Sequence, residues 1–369
     1  MLQSVVKFCK LCVTPNTRPK MLFNNEGICS ACLNQKKNIN TDWEKRKKEF
    51  LDIIKDIKSK KNNYDCVVPF SGGKDSAAIA LKLKFEFNLN PLLVTFAPVL
   101  WTTTGVMNRD AVVNEGFTNI VVNTSGKVVQ HLSKKFFIER GNPKKHWDAG
   151  IAAVPLKVAV EKKIPCVFFA ENPESEYGGR ITKHESEKIL TSSQILETWI
   201  GDDPMNWIDD KVTENDLEPL RVPENFMSIT NPVFFGYFFP WDVYENYKYV
   251  SKKIKFTVGK ERTIGTFTNY DSLDDKIDDL YYYMQFIKFG FGRCSRDASR
   301  HIVKGHITRK QAIDYCQKYD GEFPEKNLKE YLDYYQINLD KFYEIVNKHR
   351  NPEIWKAKGN DFELINKLK

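Results

Sequence analysis

The 369-residue chain has no run of about 18 apolar residues, and its longest apolar stretches are only strand-sized. That excludes a chain built round membrane-spanning helices. The start, MLQSVVKFCKLC, shows no basic segment followed by an apolar one, and the end, FELINKLK, carries no lipidation signal. A soluble cytoplasmic protein is therefore expected. Gly (19) and Pro (16) are too few for collagen-like or low-complexity architecture. Charge of one sign is barely in excess: 56 Lys+Arg against 48 Asp+Glu leave +8, which permits an anionic ligand without demanding nucleic acid. H-x-x-x-H and H-E-x-x-H are both missing. Of the six histidines, His146, His184, His301 and His306 lie near other motifs, and none is expected to hold a catalytic metal.

What the chain does have is enough apolar surface for a packed core (41% hydrophobic, 28% charged) and a length suited to about two to three domains. It also has eight cysteines, four of them in the first 32 residues. Cys9-x2-Cys12 and Cys29-x2-Cys32, sixteen residues apart, have the spacing of a tetrahedral zinc site. Four thiolates leave no open position, so the expected Zn²⁺ is structural. An iron–sulfur cluster is the main competitor, ahead of unliganded thiols. The remaining four, Cys66, Cys166, Cys294 and Cys316, are scattered and read as buried thiols. A linker helix follows the cysteines, with Thr41 and Glu44 as a capping box and Trp43, Phe50, Ile54 and Ile57 at helical spacing. Ten basic residues between 36 and 61 read as a solvated face rather than a nucleic-acid patch.

Residues 64–70, YDCVVPF, read as a buried strand. Ser71-Gly72-Gly73-Lys74-Asp75-Ser76 follows, and then a helical pattern. Strand, Gly-rich turn and helix is the arrangement that holds phosphate on backbone N–H groups at a helix N-terminus. The two serines add hydroxyl donors and Lys74 a positive charge, while Asp75 has the chemistry to hold Mg²⁺. The loop is neither a Walker A motif, since Asp follows Lys74, nor G-x-G-x-x-G. Strand-like segments at 91–97, 119–124 and 164–171 alternate with helical patterns near 104–116, 125–139 and 148–163. The expected fold class is thus α/β with a parallel sheet. Ligands in such sheets bind beyond the carboxyl ends of the strands, so SGGKDS and the carboxylate-rich Glu171-Asn172-Pro173-Glu174-Ser175-Glu176-Tyr177-Gly178-Gly179 are expected to face one crevice. Glu171, Asn172, Glu176 and Tyr177 would orient a sugar or help bind Mg²⁺ there. Further on, Ser272 with Asp275 and Thr308 with Gln311 suit helix caps, Gly290 and Gly292 suit a helix end and tight loop, and Arg293 would sit on that loop facing an anion. The expected division is a four-cysteine zinc module over 1–40, a nucleotide-binding domain over 41–260 and a helical region over 261–369.

SGGKDS after a strand resembles the PP-loop of the ATP pyrophosphatase superfamily. Together with CKLCVTPNTRP…GICSAC, HWDAGIAAVP, ENPESEYGG, FPWDVYENY and KFGFGRCSRDAS, it makes residues 7 to 325 similar to the N-acetyl sugar amidotransferase family, the WbpG/PseA-like enzymes. That family often carries further cysteines where this chain has Lys145, His146, Trp147 and Asp148, so no second thiol or metal role is expected there. The resemblance implies a PP-loop (HUP-like) domain, with Lys74, Asp75, Glu171 and Arg293 as catalytic residues and ATP, Mg²⁺ and structural Zn²⁺ as cofactors. It implies conversion of an acetamido group on a nucleotide-linked or acidic sugar to an acetamidino group, in surface polysaccharide or glycan biosynthesis.

Such a reaction needs ammonia. Residue 2 is Leu rather than a nucleophilic Cys, and no cysteine lies in a G-x-C-x-G context, so no glutaminase is expected within the chain. A separate HisH-like glutaminase partner, with or without a HisF-like ammonia-channelling subunit, is expected instead. A tRNA-thiolating PP-loop enzyme is the alternative. It would use the basic stretch on RNA and would want cysteines near the crevice. A non-catalytic zinc-module scaffold is a third reading, disfavoured by the intact SGGKDS.

Overall fold

Cys66–Pro69 (β1), Pro91–Phe96 (β2), Thr118–Val122 (β3), Cys166–Phe169 (β4) and Asn231–Phe234 (β5) pair side by side, all parallel, in the order β3-β2-β1-β4-β5. The computed structural model describes residues 6–179, 187–359 and 361–369. β2 and β4 are buried along their whole length, as strands covered by helices on both faces must be. Alternation sorts their side chains. Val68 and Phe168 join Phe50, Leu81 and Val233 in one core. Val67, Val167 and Phe169 join Phe136, Ala152 and Leu156 in another. After Ser30–Ile39 (α1) of the cysteine module, Trp43–Ser59 (α2) and Lys74–Phe85 (α3) supply residues to the first face; Gly126–Arg140 (α5) and Lys145–Glu161 (α6) supply the second. Between them in the chain lies Thr103–Val113 (α4).

The four strands and three helices expected from patterning are present. β5 was not expected, because NPVF is four residues long, opens on Asn-Pro and has no alternation to read. The capping expectations divide. Thr308 and Gln311 form the expected box. The second helix, however, is capped by Asp42, which accepts from the Lys45 N–H at 2.9 Å, rather than by Thr41. Ser272 and Asp275 do not cap a helix as a pair. The next helix starts at Ile277, and the Asp275 carboxylate accepts from the N–H groups of Val99, Leu100 and Ile277 at 3.0, 2.9 and 3.1 Å. It thereby ties the segment after β2 to the carboxy-terminal region.

That region contains the helices Ile277–Phe289, Arg293–Val303, Arg309–Tyr319, Leu328–Tyr335 and Leu339–Lys348, followed by an antiparallel hairpin, Trp355–Lys358 with Asp361–Leu364. Its core of Ile277, Leu280, Met284, Tyr331, Tyr335 and Phe342 closes on Phe137 from α5. The adjacent Phe136 points into the sheet core, so α5 is apolar on two faces and welds the two halves. The lysines at 36, 37, 45, 47, 48, 55, 58, 60 and 61 are exposed, as a solvated face should be. Among the described residues no helix is long and apolar enough to cross a membrane.

Half-buried carboxyls should give the fold a pH dependence. Burial pushes Asp148 up to about 7, with Lys144 and Lys145 only partly offsetting it, and pushes Asp279 to about 7. An acid whose folded pKa lies above its unfolded value stabilises the fold only while it is protonated. Stability should therefore fall as pH rises from about 4 through 7. Asp148→Asn should flatten melting curves recorded between pH 5 and 8 and raise the midpoint at pH 8. An unchanged pH slope would show that Asp148 is ionised in the native state.

Candidate functional site

The sheet order reverses between β1 and β4, and a ligand crevice belongs at the carboxyl ends of the strands there. The loop 71–73 leaves β1 there, and the loop from Glu171 leaves β4 beside it. Gly72 has φ +90°, and a Cβ on it would stand 3.0 Å from the Gly105 carbonyl and 3.2 Å from the Arg109 nitrogen. Only glycine fits this backbone. The Ser71 hydroxyl accepts from the Gly73 N–H at 3.1 Å, and the Ser76 hydroxyl donates to the Gly73 carbonyl at 3.2 Å. These bonds fix the turn at the start of α3, whose first-turn N–H groups are suited to an anion.

Lys74, the first residue of α3, is 5% exposed. Its ammonium pairs with Asp75 at 3.0 Å and, more closely, with Asp271. The second oxygen of Asp75 accepts from Asn246 at 3.0 Å. Asp271 also accepts from Thr268 at 2.8 Å and lies 3.5 Å from Arg293. Burial works against the Asp271 charge, but Lys74 and then Arg293 outweigh it and hold the carboxyl well below the usual carboxylate range. Arg293 is not on a loop. It is the first residue of the helix Arg293–Val303, buried, with Nε on Asp297 at 2.8 Å and Nη1 on Ser272 at 2.6 Å. Its charge is spent inside the protein, where it supports Asp271.

In the second loop Asn172 caps the short helix Pro173–Tyr177, accepting from the Glu174 and Ser175 N–H groups at 3.0 and 3.3 Å. The Tyr177 hydroxyl donates to Glu171. Burial pushes Glu176 upward, towards its neutral form. Gly178 has φ +78°, and a Cβ there would meet Met21 and Ser30 at 2.8 Å and the Ala31 nitrogen at 3.0 Å. The loop is therefore pressed against the Cys-rich module, whose Asn34 amide also reaches the Glu174 carbonyl at 3.4 Å. Three arginines gather round the Tyr177 ring. The guanidinium carbons of Arg296, Arg300 and Arg18 stand 4.6, 5.1 and 5.4 Å from its centre. The charge of Arg300 is felt by Tyr177, Glu171 and Asp75 alike, so both loops share one electrostatic environment.

Cys9, Cys12, Cys29 and Cys32 are all buried, with ligand atoms within 4.8 Å of one another. The Cys9–Cys32 and Cys12–Cys29 sulfur pairs are 3.9 and 3.6 Å apart. Zinc–sulfur bonds of about 2.3 Å in a tetrahedron put the sulfurs about 3.8 Å apart, so the four fit a single Zn²⁺. An iron–sulfur cube would hold its cysteines further apart. Of the other cysteines, Cys66 and Cys166 open β1 and β4, at the strand ends away from the crevice, while Cys294 and Cys316 share a small core with Val13 and Ala298. His301 bonds to the Tyr270 hydroxyl at 3.0 Å and His306 to Asp242 at 2.8 Å. Burial pushes His146 down to about 3, leaving it neutral. His184 lies outside the described residues.

Residues 264–369 match the family model described as LPS biosynthesis protein WbpG-like, C-terminal domain. This WbpG-like segment is the part that brings Asp271 to Lys74 and Arg296 and Arg300 to Tyr177, so it builds half of the crevice. An uncharacterized protein of Methanocaldococcus jannaschii is 41% identical over 88 residues, which is 23% of this chain and 31% of that protein. Sequence reasoning does not single out Arg18, Asn246, Asp271, Arg296 or Arg300. The signal for two of them is the spacing in RCSRDASR: once it is a helix, Arg293, Arg296 and Arg300 fall at i, i+3 and i+7 on one face.

Proposed function

We propose that this chain is an AMP-forming sugar amidotransferase of lipopolysaccharide or related glycan biosynthesis, which turns an acetamido group into an acetamidino group. The observation that carries the reading is the SGGKDS turn at the switch point of a parallel sheet, facing Glu171 and Tyr177 across a crevice completed by the WbpG-like segment. An amide carbon is a poor electrophile and its oxygen a poor leaving group. Attack of the amide oxygen on the α-phosphorus of ATP expels pyrophosphate and forms an O-adenylated imidate. Ammonia then adds to the imidate carbon, and AMP departs with the oxygen. The loop N–H groups would hold the leaving phosphates. Asp75, with one carboxylate oxygen on Asn246 and the other on Lys74, would hold Mg²⁺, which supplies charge neutralisation on the phosphates. Glu171, fixed by the Tyr177 hydroxyl, is placed to orient the acceptor. Exclusion of water from the crevice would limit hydrolysis of the imidate back to the amide. Ammonia would come from a separate glutaminase. The thiolation alternative needs a sulfur-bearing cysteine at the crevice, and Cys66 and Cys166 occupy the far ends of their strands.

The test is incubation with ATP, Mg²⁺, ammonium salt and a panel of acetamido sugars, read by mass spectrometry for exchange of oxygen for NH together with AMP and pyrophosphate. ADP release, or turnover only with tRNA, would overturn the reading. Gly72→Ala should cost about 1–3 kcal/mol of stability through the forced φ and the clash with backbone. It should also lower AMP formation at least about tenfold, since the loop N–H groups would lose their aim. Activity equal to wild type would remove this loop from the chemistry.

A further inference from the structure

Arg18 comes from the cysteine module, between its two cysteine pairs, whereas Arg296 and Arg300 come from the helix Arg293–Val303. Chain segments nearly 280 positions apart thus deliver three guanidinium groups to one tyrosine. A small cavity of about 20 Å³ lies there, lined by Arg18, Arg296, Arg300, Lys304, Tyr177 and Glu176, with Cys12 and Cys32 in its wall. Arginines partly withdrawn from solvent, as these three are, normally bring their own carboxylates. Among the described residues, Arg18 and Arg296 have no carboxylate within ion-pair distance, and Arg300 has only Asp297 at 4.0 Å. Arg296 donates to the Tyr282 hydroxyl, but its Nε is sealed from solvent and without a partner. Burial, and then the charge of Arg296, push Arg18 down to about 10. The negative groups facing this cluster are Glu171, which already accepts from Tyr177, Glu176, which burial pushes towards neutrality, Asp297 and Asp75 near Arg300, and the cysteine sulfurs in the wall. Guanidinium groups gathered round one ring, with the Arg296 Nε unspent, suit an oxyanion.

We propose that Arg18, Arg296 and Arg300 form an oxyanion-binding subsite of the crevice, and that the cysteine module acts in substrate binding by supplying Arg18 and closing the wall. The oxyanion is either a phosphate of the nucleotide or a carboxylate or phosphate carried by the acceptor. The inference rests on the amidotransferase reading for its substrates, but binding tests it without turnover.

The experiment uses full-length, metal-loaded protein and the variants Arg18→Met, Arg296→Met and Arg296→Lys. Calorimetry follows binding of ATP on one arm, and of glucuronate and glucose 1-phosphate against neutral glucose on the other. The Met variants should weaken one class of oxyanion about tenfold or more, with the other unchanged. Arg296→Lys should recover part of the loss. Loss confined to ATP identifies the nucleotide phosphates; loss confined to the charged sugars identifies the acceptor. The metal content of Arg18→Met should stay at the wild-type level. Because Arg18→Met removes a burial cost and the repulsion from Arg296, that variant should melt at or above the wild-type temperature. Unchanged binding on both arms would overturn the proposal. So would a variant that unfolds, since the arginines would then be structural. Weakened oxyanion binding in a protein that forms no amidine would defeat the amidotransferase reading alone. Amidine formation with unchanged KM in both Met variants would defeat the subsite alone.

Discussion

Lys74→Met should destabilise the protein by about 3 kcal/mol or more and abolish AMP formation, and Asp271→Asn added to it should restore the stability but not the activity. The reason lies in the burial of the pair, 5% and 4% exposed. Removing the ammonium leaves the Asp271 carboxylate in a dry site with Arg293 at 3.5 Å, itself committed to Asp297, and a hydroxyl from Thr268. An uncompensated buried charge of this kind costs about 3–5 kcal/mol, and the Arg293 contact should keep the loss near the lower end. Neutralising Asp271 in the same chain removes the orphaned charge, so the double variant should unfold in denaturant close to the wild-type midpoint. Catalysis will not follow, because in the proposed reaction Lys74 meets the charge that develops on the departing pyrophosphate, and the first turn of α3 carries no second basic residue. Recovered turnover in the double variant would show that Lys74 serves the fold alone. An unperturbed Lys74→Met would mean that the buried pair is not formed.

This pair also shows what the sequence could and could not reveal. The glycine loop, the four patterned strands and the cysteine spacing are local features, fixed by residues within ten or twenty positions, and were readable. Asp271 was not, because nothing near it in NYDSLDDK distinguishes a carboxylate that meets Lys74 from its neighbours; 197 positions separate the partners. Arg293 was misplaced for the same reason. Its position beside Gly292 suggested an exposed loop, but tertiary packing makes it the buried start of a helix and turns its charge inward. Asn172 sat in a motif that reads as sugar-binding, yet its amide is occupied by the cap of Pro173–Tyr177. The arginine cluster needed both ends of the chain to be folded together before it could be seen.

Loss of the metal should have the larger effect, and a local one. Cys29→Ser should remove zinc, make residues 6–40 sensitive to protease and eliminate turnover, while the sheet core stays protected. The module has little of its own to hold it: beyond the four cysteines, its buried apolar residues are Ile28 and Ala31, with Val13 lent to the carboxy-terminal helices. So small a core cannot offset the ordering of some forty residues. Binding of Zn²⁺ by four thiolates contributes about 10–16 kcal/mol in comparable small sites, comparable to or larger than the stability of a whole domain. The sheet has separate cores that do not include these cysteines, so it need not unfold with them. Activity should still vanish, because the module buttresses the Glu171–Gly179 loop through Gly178 and Asn34 and brings Arg18 to Tyr177. Metal analysis should find one zinc per chain in the wild type and none in the variant. Iron with visible charge-transfer absorption would replace the zinc assignment with a cluster. A Cys29→Ser protein that kept its activity after losing the metal would show that the crevice does not depend on the module at all.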